Sequence, residues 1–211
     1  MSTMARRAPL HARAPRPDEE AGVEGNARLT SSIAAVLLVL LFLEGVTILQ
    51  IGALVRPHVF IGLLLIPPVL YKVATTAWRF VKYYIGDPAY RKKGPPVTLL
   101  RLLGPPVVVL TLVVIGSGVG LVVIAPTSWH SQLLLVHKAS FVLWFGAMAV
   151  HVVGHMVETA KFAPRDWLRR TRREVRGASL RQWIVASSLA VGFLVATWIT
   201  PYAANWRIIS N

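Results

Sequence analysis

Five stretches of this chain stay apolar for about twenty residues or more, with polar or proline-bearing segments between them. Crossing ~30 Å of hydrocarbon takes roughly 20 helical residues, so each stretch predicts a membrane-spanning helix. The first covers 30–55 and opens on Thr30-Ser31-Ser32, residue types that cap helices well. The second covers 58–82 and is entered through Pro57, whose missing N–H is harmless in a first turn. The third, 105–125, is entered through Pro105-Pro106; the fourth covers 129–158; the fifth, 180–200, is closed by Pro201. The pattern predicts an all-α integral membrane bundle of five helices occupying 29–205. Almost nothing separates the first stretch from the second, and only Pro126 to Ser128 separates the third from the fourth. Both pairs should therefore form antiparallel hairpins. Pro67-Pro68 removes two backbone donors in the second stretch and predicts a kink there.

The ends read differently. Residues 1–28 are rich in Arg, Ala and Pro and hold little that could be buried, so they are expected to form a disordered basic tail. Residues 206–211 make a short tail at the other terminus. The first apolar stretch is too long for a signal peptide, and no small-residue cleavage site closes it.

Charge orients the bundle. Of 23 Lys and Arg, 19 fall in the tail, the 83–104 loop with its flanks, and the 159–179 loop with its flanks, all on one side of a five-helix arrangement. The positive-inside rule places that side, with the N-terminus, in the cytoplasm and the C-terminus outside. Trp129, Trp198, Tyr202 and Trp206 mark the outer boundary, and Trp78, Tyr83 and Tyr84 the inner one. The net charge of +14 then belongs to a membrane surface, and no nucleic-acid module accompanies it. The 161–181 segment is expected to lie on anionic lipid. The absence of cysteine excludes disulfides, thiolate metal sites, iron–sulfur ligation and covalently attached haem. No phosphate loop or nucleophile–His–acid set is present, and Gly118-Val119-Gly120 lacks the strand that a dinucleotide site needs.

Ionisable residues inside a bilayer are costly and therefore candidates for function. They are Glu44 on the first helix, His58 and Lys72 on the second, and His137, Lys138, His151 and His155 on the fourth. His137 and His151 stand 14 residues apart, which returns to nearly the same helix face about 21 Å further along. His58 lies at the outer end of the second helix, at the level of His137. One histidine from each of two parallel helices at one depth suits bis-imidazole ligation of a haem iron. Gly116, Gly118 and Gly120 on the third helix would let a flat macrocycle or a neighbouring backbone approach. Glu44 and Lys72 lie about 16 and 21 Å from the outer surface, depths that allow an ion pair.

On these residues the chain resembles the bacterial membrane cytochromes b, haem-bearing helical-bundle subunits of respiratory oxidoreductases. The resemblance covers about 30–158, with His137 and His151 on one helix opposite His58 on another. The run from His58 through Trp78-Arg79-Phe80, Tyr83-Tyr84-Ile85-Gly86-Asp87-Pro88 and Gly94-Pro95-Pro96 is also similar to small uncharacterised membrane proteins of high-GC actinobacteria. The resemblance implies a multi-pass protein of the bacterial plasma membrane that passes electrons between quinone and a partner redox protein or catalytic subunit. It implies a haem b held by His58 and His137. A second haem near His151 or His155 is in doubt, because Lys72 stands where a two-haem member has its other histidine.

Plainer readings exist for each residue. The histidines could serve interhelical hydrogen bonding. His155 lies three residues before Glu158, which favours a bond between them over ligation. Glu44 and Lys72 could form a structural salt bridge. The alternative to electron transfer is a cofactor-free scaffold or small transporter subunit with a buried polar network.

Overall fold

The computed structural model describes residues 14–95, 97–124 and 128–203. They contain six α-helices: α1 Pro17–Leu49, α2 Ile51–Tyr84, α3 Pro88–Lys93, α4 Thr98–Val123, α5 His130–Phe162 and α6 Ala178–Ile199. Short 3₁₀ turns follow α5 at Ala163–Asp166 and α6 at Thr200–Ala203, and the described residues include no strand. All the α-helices except α3 are long and apolar enough to cross a membrane. The expected five spans are present. Pro126, His11, Trp206 and Arg207, and the 206–211 tail, lie outside the described residues.

Three boundaries differ from expectation, each for a local reason. The solvated tail expected over 1–28 gives way to helix at Pro17. Pro17 takes the first helical position, Asp18, Glu19 and Glu20 favour the positive end of the helix dipole, and Glu19 accepts a hydrogen bond from the Arg16 N–H at 2.9 Å. The first turn of chain comes at Gln50 (φ −135°, ψ 47°) instead of near Arg56. Pro57 then sits inside α2, and the residue with non-helical dihedrals is Leu54 (φ −108°, ψ 19°), three positions before it. A proline ring displaces the carbonyl one turn back, which accounts for a break at that point. Pro67 and Pro68 lie in α2 where the dihedrals stay helical, and Pro105 and Pro106 lie inside α4 instead of opening it.

α2 is the axis of the bundle. Its Leu65 and Val69 meet Ile33 and Leu37 of α1 and Val185 of α6. Its Val55, Val59 and Leu63 meet Val122 of α4 and Ala196 of α6. Small residues make the α6 seam: Ser188, Gly192 and Ala196 are buried one turn apart, and a Cβ on Gly192 would stand 2.5 Å from the Leu64 carbonyl oxygen. α4 and α5 form the second hairpin, where a Cβ on Gly154 would collide with the Leu100 side chain. α5 rests on α4 and, at its far end, on α1, and touches α2 very little. Ser140 is its one buried residue.

The end of the bundle formed by the start of α1, α3, the close of α5 and the start of α6 carries the basic loops; we call it the basic end. Its tie points are ionic. Arg28 is fully buried and reaches Glu24 and Glu174 at 2.8 Å, the Thr171 carbonyl at 2.8 Å and Asp166 at 3.4 Å. Asp166, equally buried, takes two further bonds from Arg181 at 2.5 and 2.8 Å. Arg165 pairs with Glu24 at 2.8 Å. Two basic members of the 161–181 segment, Arg165 and Arg181, are thus tied inward, while Arg169, Arg170, Arg172 and Arg173 remain exposed with Trp167 and Leu168. Glu158 binds α5 to α2 and α3 through Arg79 at 3.5 Å and Lys93 at 3.2 Å. Burial and the Arg79 charge push the Lys93 ammonium below its ordinary pKa, against the pull of Glu158.

Candidate functional site

The turn at Gln50 sets the pairing of α1 with α2. Partners across this hairpin have residue numbers that total 102 at two levels: Glu44 with His58, and Thr30 with Lys72. The predicted Glu44–Lys72 ion pair is therefore absent. It assumed a helix running to residue 55, and the earlier turn shifts Glu44 towards the end of the bundle. Lys72 Nζ donates to the Thr30 carbonyl at 3.3 Å instead.

Around His58 the hydrogen bonds identify the proton. The Thr47 hydroxyl donates to the Glu44 carbonyl at 2.6 Å, so its oxygen is an acceptor towards His58 Nδ1, 3.0 Å away. The Glu44 side-chain oxygen Oε1 also lies 3.0 Å from Nδ1. The Thr47 acceptor assigns the proton to Nδ1 and leaves Nε2 with a free lone pair.

The second hairpin repeats the arrangement. α4 and α5 are joined by polar contacts, among them Trp144 Nε1 donating to Thr111 Oγ1 at 2.8 Å. His137 Nδ1 lies 3.0 Å from the Val114 carbonyl, which can only accept. Ser117 Oγ, 3.2 Å from the same nitrogen, donates to the Val113 carbonyl at 2.6 Å and so accepts from the ring. His137 is again the Nδ1–H tautomer with Nε2 unprotonated. Gly118 makes room for this ring: a Cβ there would stand 3.1 Å from His137 Cε1.

The two rings meet across the bundle. Their centroids lie 6.2 Å apart with planes at 84°. A metal atom bound by one nitrogen of each ring would need the two rings about this close. Two imidazoles that both present lone pairs do not hydrogen-bond to each other. They can share a Lewis acid. Holding Nδ1–H to a carboxylate or a carbonyl is also how metal-ligating histidines are oriented and made more basic. Of the three glycines expected to pack a macrocycle, Gly118 seats the His137 ring, Gly120 seats Leu133, and Gly116 faces open space.

The other candidates do not form an equivalent pair. His151 and His155 lie side by side on the same helix, ring centroids 4.7 Å apart and planes tilted by 53°. His151 Nδ1 is buried without a hydrogen-bond partner, and His155 Nδ1 lies 3.6 Å from Glu158 Oε2. No group of three or more His, Cys, Asp or Glu able to hold a metal ion occurs among the described residues.

Sequence reasoning missed the residues that fix the two rings, Thr47 and Ser117 with the Val114 carbonyl. Small hydroxyls on apolar helices are too common to stand out. It also missed the Arg28–Asp166–Arg181 cluster, although two lone acids, Asp166 and Glu174, inside a basic loop were a usable sign. No family model, curated protein or solved structure matches this chain.

Proposed function

We propose that the chain is a haem b-binding membrane protein that transfers electrons, with His58 and His137 as the axial ligands of one haem. The observation that carries this reading is a pair of imidazoles on α2 and α5 whose ring centroids lie 6.2 Å apart, each with its Nδ1 engaged by hydrogen-bond partners on a neighbouring helix. The slight contact between α2 and α5 supports it, since a macrocycle must lie between the helices that bear its ligands. Bound haem would supply one-electron chemistry. The protein's own residues hold and orient the rings: Glu44 and Thr47 fix His58, Val114 and Ser117 fix His137, and the apolar helices exclude water. The placement of the histidines supports a single haem. Among the described histidines only His58 lies off α5, so a cross-helix pair forms once. The basic end faces the cytoplasm of a bacterial cell, which places this haem towards the outer surface, within reach of quinone in the bilayer and of a redox partner outside.

The test is a reduced-minus-oxidised visible spectrum and haem quantitation on protein purified in mild detergent from haem-supplied cells. The expected result is a b-type spectrum at one haem per chain, lost in both His58→Ala and His137→Ala and retained in His151→Ala. A colourless wild-type protein would refute the reading. It would leave Glu44, Thr47, His58, Ser117 and His137 as an interhelical hydrogen-bonding set in a cofactor-free scaffold.

A further inference from the structure

A second site lies at the basic end, away from the histidines. Between the start of α1, α3 and the close of α5 is a cleft of about 310 Å³. The Phe162 ring forms part of its wall. Lys93, Lys161 and Arg165 place their charged groups 5.2, 5.4 and 5.1 Å from the centroid of that ring. Lys92 lines the same cleft. Four cations converging on one cleft repel each other unless anions compensate them. Three are compensated internally: Lys92 by Glu20 at 2.6 Å, Arg165 by Glu24 at 2.8 Å and Lys93 by Glu158 at 3.2 Å. Among the described residues Lys161 has no carboxylate within ion-pair distance, and it is exposed at the rim. Glu24 is shared with Arg28 and Glu158 with Arg79, so the cleft keeps a net positive charge, with Lys161 as its cation lacking a carboxylate, and room for a small anionic group.

We propose that this cleft binds the phosphodiester headgroup of an anionic phospholipid, with Lys161 as its principal charge partner. A phosphodiester bears a negative charge that would offset this positive excess. The position suits a lipid more than a dissolved anion. The cleft lies where α1 and α5, two of the apolar helices, meet the short basic helix α3, and Trp78, Ile85, Trp167 and Leu168 are exposed at the same end, side chains that favour the headgroup layer. Basic pockets between helices at this depth are a recognised form of lipid headgroup site. This inference does not depend on haem.

Native mass spectrometry of the full chain, equilibrated with equal mole fractions of phosphatidylglycerol and phosphatidylcholine, tests it. The wild type should retain one phosphatidylglycerol in preference to phosphatidylcholine. Lys161→Gln should weaken retention about 5-fold, and Lys92→Gln with Lys161→Gln about 30-fold. An Arg170→Gln/Arg172→Gln control, equal in charge removed but outside the cleft, should retain the lipid as the wild type does. Lys161 makes no ion pair among the described residues, so its variant should melt with the wild type and report binding alone. Equal retention by the wild type and the cleft variants, or equal loss in the control, would overturn the site in favour of diffuse surface charge. Displacement of the lipid by millimolar inorganic phosphate alone would overturn the lipid assignment in favour of a free-phosphate site.

Discussion

Removing the carboxylate of Asp166 should unfold the basic end. Asp166 is 1% exposed and lies between two guanidinium groups, Arg28 at 0% and Arg181 at 9% exposure. In Asp166→Ala, Arg28 keeps Glu24 and Glu174, but Arg181 loses both of its charged acceptors and keeps only the Arg176 and Val175 carbonyls. Leaving a buried charge unpaired costs about 3–5 kcal/mol. At about 2–4 °C per kcal/mol for a chain of this size, the midpoint of thermal unfolding should fall by about 6–20 °C. The assay is tryptophan fluorescence in detergent during heating, with near-complete recovery on cooling as the check on reversibility. Glu174→Ala is the matched control. Its carboxylate is half exposed, so the same chemical change should cost about 1 kcal/mol or less. Replacing all three by apolar residues (Arg28→Met, Asp166→Leu, Arg181→Met) should recover much of the loss, because a buried ionic triad rarely outperforms a packed apolar one. An Asp166→Ala midpoint within 2 °C of wild type would refute the reasoning, and with it the docking of residues 17–28 against the 163–181 segment.

Three further outcomes are expected. Gly192→Leu should destabilise the bundle by at least about 1–3 kcal/mol, read as a lowered unfolding midpoint, because its side chain must displace the α2 backbone at Leu64. Gly118→Val should cut haem content to less than half while leaving the helical circular dichroism unchanged, because it forces the His137 ring off its Val114 and Ser117 partners; full haem occupancy in this variant would count against His137 as a ligand. The chain has no cysteine, so single cysteines report topology without background: Arg170→Cys should react with an impermeant thiol reagent only from the cytoplasmic side and Trp129→Cys only from outside, and the reverse pattern would invert the orientation.

The number of spans, the antiparallel hairpins and the one-sided charge were legible in the chain because hydrophobicity and charge are summed over windows of twenty residues, and no local detail reverses such a sum. The candidates His58 and His137 were legible for the same reason, since an imidazole in an apolar run stands out. Partners were another matter. Gln50 and Arg56 lie only six residues apart, and an apolar run contains nothing that says at which of them the chain turns. That choice moves every contact across the hairpin by more than two helical turns, and it separated Glu44 from Lys72. The proton positions on the two histidines depend on Thr47, Ser117 and a main-chain carbonyl of another helix, all brought within 3.2 Å by the docking of helix pairs. Arg28 and Asp166 are 138 residues apart, and only the return of the chain to the basic end turns two ordinary surface residues into a buried ion pair. Composition thus determined which segments are helices long and apolar enough to cross a membrane. Tertiary structure decided which polar atoms meet, because a hydrogen bond is made over about 3 Å and a single residue of register moves a side chain further than that.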